Sequence, residues 1–283
     1  MMTRKLTHPP LLGTVYLVGA GPGAADLISV RGARLLEQAD IVFYDALVEP
    51  EMLEICSQAK LIPVGKRCGK LSSVQQFINK RLVDAAKQYA VIVRLKGGDP
   101  MLFGRADEEL QALRNAGIKV EVVPGITAAL AGAAAIGQSL TLRGVSRSVA
   151  FVTMAQGDDN VLLGQPISQP SADTLVYYMG RKDAVKIASQ LLATNVPQHR
   201  ADTTVHILEA VSTSRERHWS STLGELALGK ADAWFDSSSP ALIMIGQALK
   251  LSHQMEDCLE PFNAKLNNSL QDSLIFSDSR RCA

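Results

Sequence analysis

The residues best suited to chemistry lie in the run 91–105, VIVRLKGGDPMLFGR, where an apolar, β-branched stretch runs straight into Gly97, Gly98 and Asp99. Paired glycines admit a ligand to bare backbone where a Cβ would collide, and Asp99 sets an acceptor beside it. Pro100 stiffens the turn, Phe103 offers an apolar face, and Arg105 supplies a forked cation that matches a carboxylate. Taken alone, glycine-glycine-aspartate before proline is equally ordinary turn chemistry. A second glycine turn, GAGPGA at 19–24, follows the strand-like TVYLV and fits GxGxxA. In a dinucleotide fold that pattern cradles pyrophosphate, and Asp45 stands where a ribose-binding acid belongs. A third turn, with Gly65, Lys66 and Arg67, suits an anion site or a solvated basic loop equally well.

These turns need elements to hold them. Residues 91–95, 14–18, 41–44, 60–64 and 119–123 read as short strands, each meeting turn formers. Between them lie helical stretches: one after GAGPG, one begun near Pro50, and one in SSVQQFINKRLVDAAKQ with a serine N-cap. That last stretch carries apolar residues at Val74, Phe77, Ile78, Leu82 and Val83, and an acid-rich helix follows Arg105 and ends at Gly117. Pro124 and Gly125 then place Thr127 near the carboxyl edge of the sheet, the end at which open α/β sheets bind ligands. The run AALAGAAA that follows reads as a helix made for close packing. Five strands alternating with helices make one α/β layer.

A second β/α set begins at 149–153 and continues through DTLVYYMG, the helix RKDAVKIASQLLATN, a strand at 204–210 and a last strand at 241–246. Arg143 and Arg147, in the crossing segment SLTLRGVSRS, are exposed arginines or reach a negative ligand. Met179 and Gly180 stand at a strand's carboxyl end. The predicted organisation is an N-terminal tail 1–13, an α/β domain 14–138, a second α/β domain 139–250 and a polar tail 251–283.

With 283 residues, the chain suits two domains of roughly 120 residues. Its net charge of +1 and lack of a polybasic run argue against a nucleic-acid partner. Cys56, Cys68, Cys258 and Cys282 show neither CxxC nor zinc spacing, so no metal site is expected, and reduced thiols suit the cytoplasm. The first ten residues hold charge but no apolar h-region, and no apolar run approaches the ~18 residues of a membrane span.

The ordered set VGAGPG, YDALV, VGKR, LKGGDPMLFGRADEE, VPGIT, LTLR, YYMG and PALIMIG resembles the tetrapyrrole methylase family over residues 14–250. The most specific pieces are LKGGDPMLFGRADEE and VGKR. The resemblance implies two α/β domains with S-adenosylmethionine (S-adenosyl-L-methionine) in the cleft between them, usually in a homodimer, and S-adenosyl-L-homocysteine as the spent donor. It implies successive C-methylation of uroporphyrinogen III at two pyrrole carbons, giving precorrin-2 for sirohaem or cobalamin. Carried over by position, Pro22, Gly97, Gly98, Asp99, Leu102, Thr127, Ala128, Met179 and Val211 contact the methyl donor. Asp45 takes the place of the proton acceptor and Lys66 that of the proton donor. Arg105, Glu108 and Arg143 fall on the substrate, whose eight carboxylates suit arginine forks.

Several positions depart from the family pattern. Gly23 is followed by Ala24 and Ala25 where the family has glycine, aspartate and proline, Leu142 replaces a histidine, and Ala106 and Asp107 replace a glycine pair. Met154 and Ala155 stand for glycine-histidine, and Val211 for glycine. Several of these positions line the expected substrate cleft. A methylase of another tetrapyrrole and a catalytically weakened paralogue therefore stay open, as does a dinucleotide oxidoreductase built on GAGPGA and Asp45.

Overall fold

The structure, a computed structural model, describes residues 12–64, 71–154, 170–194 and 196–250, with only the backbone of residues 71–74. The chain divides into two compact units between Thr127 and Ala128. The division falls before the alanine-rich helix rather than at 138, because that helix packs on a strand of the second unit.

In the first unit, strands β1 (Thr14–Gly19), β2 (Ile41–Tyr44), β3 (Lys60–Pro63), β4 (Val91–Lys96) and β5 (Val120–Val123) form one sheet in the order β3-β2-β4-β1-β5. Every pairing is parallel. Helices α1 (Val30–Glu37), α2 (Pro50–Glu54), α3 (Leu71–Ala85) and α4 (Ala106–Asn115) connect the strands. The period-two alternation sorts each strand's side chains to two faces. Val15 and Leu17 join Ile41, Phe43 and Ile92 in one buried cluster, whereas Val18 joins Val42, Val93 and Leu95 in another. A sheet covered on both faces needs the near-continuous apolar strands seen here. Two helix starts differ from expectation. A short 3-10 turn precedes α1, which starts only at Val30 with the Ser29 hydroxyl accepting from the Gly32 amide. The first residue of α3 is Leu71, so Ser72 and Ser73 lie inside its first turn rather than at the cap.

The second unit opens with α5 (Ala128–Ala135) and continues through β6 (Val149–Thr153), β7 (Thr174–Tyr178), α6 (Ala184–Ala193), β8 (Thr204–Glu209), β9 (Arg217–Thr222), α7 (Leu223–Ala227) and β10 (Ala241–Gly246). Its sheet runs β6-β7-β10-β8-β9, with only β6 and β7 parallel. Strand β9 was not anticipated. Its sequence RHWSST is polar and lies at the sheet edge, where burial imposes no apolar run. On β10, Ile243 and Ile245 face one core cluster while Leu242 and Met244 face the other. Small residues on α5 allow its close approach: a Cβ on Gly132 would lie 3.2 Å from the Met244 sulfur.

Candidate active site

The carboxyl ends of β1, β4 and β5 converge so tightly that two glycines there, Gly19 and Gly125, have no space for a side chain. A Cβ on Gly19 would lie 2.6 Å from the Gly125 Cα and 2.7 Å from the Gly98 carbonyl oxygen, and one on Gly125 would lie 2.3 Å from that same oxygen. Across this junction the Gly98 amide donates to the Gly21 carbonyl at 2.6 Å, and the Gly21 amide donates to the Gly98 carbonyl at 3.2 Å. Gly98 has φ +69°, a conformation natural to glycine, and a Cβ there would meet only the Thr127 Cα, at 4.0 Å. The space beside Gly98 is therefore open.

Asp99 is less free than its position after the glycines suggested. One oxygen accepts from the Met101 amide at 2.8 Å and the other from the Gly125 amide at 2.9 Å, so the carboxylate ties the turn after β4 to the turn after β5. An ionised carboxylate offers about four lone-pair sites, so acceptor capacity remains. Leu102 is half-buried on the same turn, and Thr127 is buried just beyond Gly125. Phe103 and Arg105 both hold positive φ, at 53° and 55°. Non-glycine residues rarely stay there unless their surroundings fix them, and such outliers concentrate at functional sites.

The glycines of GAGPGA do not form the pyrophosphate cradle of a dinucleotide fold. Gly21 uses both its amide and its carbonyl on Gly98, and the helix starts only at Val30 rather than directly after the turn. Pro22 is half-buried at the same junction. The oxidoreductase reading loses its structural basis.

Asp45 sits after β2 and reaches across to the turn after β4. Its carboxylate accepts from the Gly97 amide at 3.2 Å and from the Leu47 amide at 3.0 Å. An Arg94 nitrogen lies 4.0 Å away. A Cβ on Gly97 would come within 2.7 Å of the Leu47 Cβ, so glycine is what lets the carboxylate approach this backbone. Arg105 grips Glu108 with two hydrogen bonds, at 2.6 and 2.9 Å, one helical turn into α4. Both side chains are partly exposed. Lys66 lies outside the described residues.

Beneath this surface is a charged cluster that sequence reasoning missed. Glu109, fully buried, accepts from Arg94 at 3.1 Å, from Lys96 at 3.0 Å and from Gln75 at 3.2 Å. Arg94 also donates to the Leu95 carbonyl at 2.9 Å. Burial and the adjacent Arg94 guanidinium hold the Lys96 ammonium below the usual lysine range, against the pull of Glu109. The available signal was the pair Arg94 and Lys96, two residues apart and so on one face of an otherwise apolar strand.

In the second unit, β7 and β8 both run antiparallel to β10, so their carboxyl ends flank its first residues. There Met179, Ala210 and Ser212 take positive φ at 57°, 48° and 60°. Met179 is exposed, and the preceding Tyr178 hydroxyl accepts from the Ala129 amide at 3.0 Å, which draws Ala128 to the same end. Val211 is buried, packed in a cluster with Leu208 and Leu242. Any contact from this position therefore comes from its backbone. Arg143 is exposed in a tight turn closed by hydrogen bonds between Leu142 and Ser146.

Among the described residues no three His, Cys, Asp or Glu side chains gather as for a metal ion. Cys56 is a buried free thiol, its pKa pushed up to about 11 by burial, and the other cysteines lie outside the described residues.

A uroporphyrinogen-III C-methyltransferase of Pseudomonas aeruginosa is 43% identical over 84% of this chain and 95% of its own length. A siroheme synthase of Stutzerimonas stutzeri is 42% identical over 87% of this chain, which spans only 52% of that longer protein. The crystal structure of a uroporphyrin-III C-methyl transferase from Thermus thermophilus, complexed with S-adenyl homocysteine, is 35% identical, with a TM-score of 0.68 over 84% of this chain and 94% of its own. The family model of tetrapyrrole (corrin/porphyrin) methylases matches residues 14–227, nearly all of the described structure, and the chain belongs to that family.

Proposed function

We propose that this chain methylates uroporphyrinogen III at two pyrrole carbons in succession, with S-adenosylmethionine as donor, giving precorrin-2 for sirohaem or cobalamin. The observation that carries this reading is the junction of Gly19, Gly98 and Gly125, braced by Asp99, which leaves open backbone at the carboxyl edge of a parallel sheet. A relative named uroporphyrinogen-III C-methyltransferase at 43% identity supports it.

When bound, S-adenosylmethionine supplies an electrophilic methyl group on a sulfonium. The protein's own task is to position two partners in line and to manage a later proton loss. Pro22, Gly97, Gly98, Asp99, Leu102, Thr127 and Ala128, with Met179 and the Val211 backbone, hold the donor. Asp45 takes the proton, and Lys66 gives one. Arg105 and Arg143 bind substrate carboxylates, and Glu108, held by Arg105, meets the pyrrole nitrogens.

The working form is a cytoplasmic homodimer. Among the described residues no helix is long and apolar enough to cross a membrane. Leu130, Leu142, Val145 and Phe151 are exposed apolar side chains in the second unit, and a cavity of about 560 Å³ lies beside the edge strand β6. That surface suits a second copy of the chain.

Anaerobic incubation with S-adenosylmethionine and uroporphyrinogen III, followed by mass analysis, tests the reaction. A gain of two methyl groups is expected. No gain while the donor still binds would refute uroporphyrinogen methylation and point to another tetrapyrrole.

A further inference from the structure

Glu109 makes no contact that donor or substrate binding requires, yet it is the best-buried charged side chain of the first unit. It neutralises two cations, Arg94 and Lys96, which are themselves only 4% exposed. Burying three charges is costly, and replacement by apolar residues of similar volume is often neutral or stabilising. The cluster therefore calls for a role beyond packing.

Its position supplies one. Arg94 and Lys96 lie in the last three residues of β4, immediately before Gly97, whose amide holds Asp45. The Arg94 guanidinium spans the two acids, with Nε on Glu109 at 3.1 Å and Nη2 at 4.0 Å from Asp45. Lys96 lies on the same strand face as Arg94, and its Cε lies 3.1 Å from where a Cβ on Gly104 would stand. Arg94 from β4 thus stands beside Asp45, and Glu109 from α4 binds both Arg94 and Lys96. Two positive and two negative charges balance. Glu109 follows directly on Glu108, so the start of α4 serves both the exposed clamp on Arg105 and the buried one on Arg94.

We propose that Glu109 is a positioning residue for methyl transfer: by fixing and neutralising Arg94 and Lys96 it sets the electrostatic surroundings in which Asp45 takes its proton. This rests on Asp45 being the proton acceptor. Glu109 touches no reacting atom and acts only through the two cations.

The test is the acid limb of the kcat against pH profile. Glu109→Gln leaves the cluster with an excess positive charge, which moves the limb down by about one pH unit. Lys96→Met leaves an excess negative charge and moves the limb up by a similar amount. The double variant is neutral again and returns the limb close to its original place. KM for S-adenosylmethionine stays within about twofold throughout, because the donor contacts are untouched. A role confined to packing would lower activity without opposite displacements of the limb. Unmoved limbs in folded Glu109→Gln and Lys96→Met, with the limb lost in Asp45→Asn, would overturn the inference while leaving Asp45 as acceptor. Persistence of the limb in Asp45→Asn would instead overturn the assignment of Asp45 and the inference with it. If Glu109→Gln does not fold, as judged by circular dichroism, Lys96→Met and the charge-balanced double variant decide the matter alone.

Discussion

The Asp99 carboxylate accepts a hydrogen bond from the Gly125 amide at 2.9 Å, tying the turn after β4 to the turn after β5. One acidic side chain thus sets the spacing between two stretches of backbone that a methyl donor would contact. In Asp99→Ala both this bond and that to the Met101 amide are lost. Hydrogen bonds to charged groups contribute about 1.5–3 kcal/mol each, so a loss of about tenfold or more in donor affinity is expected by calorimetry. Asp99→Asn keeps one acceptor and should fall between the variant and the parent.

The glycines of the junction should differ in a predictable order. Alanine at Gly98 finds open space but an unfavourable φ, which costs about 1–2 kcal/mol. Alanine at Gly125 drives a Cβ to 2.3 Å from a backbone carbonyl and 2.8 Å from the Gly19 Cα, and neither can swing aside. Urea denaturation should show Gly98→Ala modestly destabilised and Gly125→Ala more so. The reverse order would refute the convergence of the three turns.

Arg105 meets Glu108 with a fork that lysine cannot reproduce. If the same fork grips a substrate carboxylate, Arg105→Ala raises KM for the tetrapyrrole by about 10-fold to 100-fold and leaves KM for the donor little changed. Arg105→Lys should recover only part of this. Steady-state kinetics with each substrate varied in turn would separate the two effects.

The second unit carries an acid-sensitive pair. Fully buried His206 directs Nε2 at the Leu249 carbonyl at 2.9 Å, and since a carbonyl only accepts, that nitrogen carries the proton. Nδ1 of the neutral ring is then the acceptor from His218 Nε2, at 2.8 Å. Burial lowers the pKa of His206, and burial with the nearby His206 lowers that of His218 to about 4. The unfolded chain, titrating near 6.5, binds more protons between these values. Stability from this source is therefore present above pH 6.5 and lost as pH falls towards about 4. His218 is exposed on its outer side, so solvent screens its share and the slope is shallower than for a sealed ring. Thermal melts across that window should show a decline that His218→Phe reduces.

The parallel first sheet was legible because β-branched runs ending in glycine announce both the strand and the turn, as at Val91–Lys96 followed by Gly97 and Gly98. The close packing expected of the alanine-rich helix also stands, with Ala129, Ala131 and Gly132 buried. Less was readable where partners are distant in the chain. Nothing local shows that Glu109 lies against Arg94 and Lys96, that Asp99 reaches Gly125, or that RHWSST becomes an edge strand, because each depends on what the fold brings alongside.

The strand order carries a consequence for synthesis. β1 is made before every other described strand, yet it lies between β4 and β5, with Thr14 opposite Val91 and Val15 opposite Val120. At about 5–20 residues per second, a ribosome leaves both edges of β1 unpaired for several seconds before either partner emerges. Bare strand edges are where chains pair wrongly with one another, so the nascent chain meets its main hazard of aggregation before Val123 has been made.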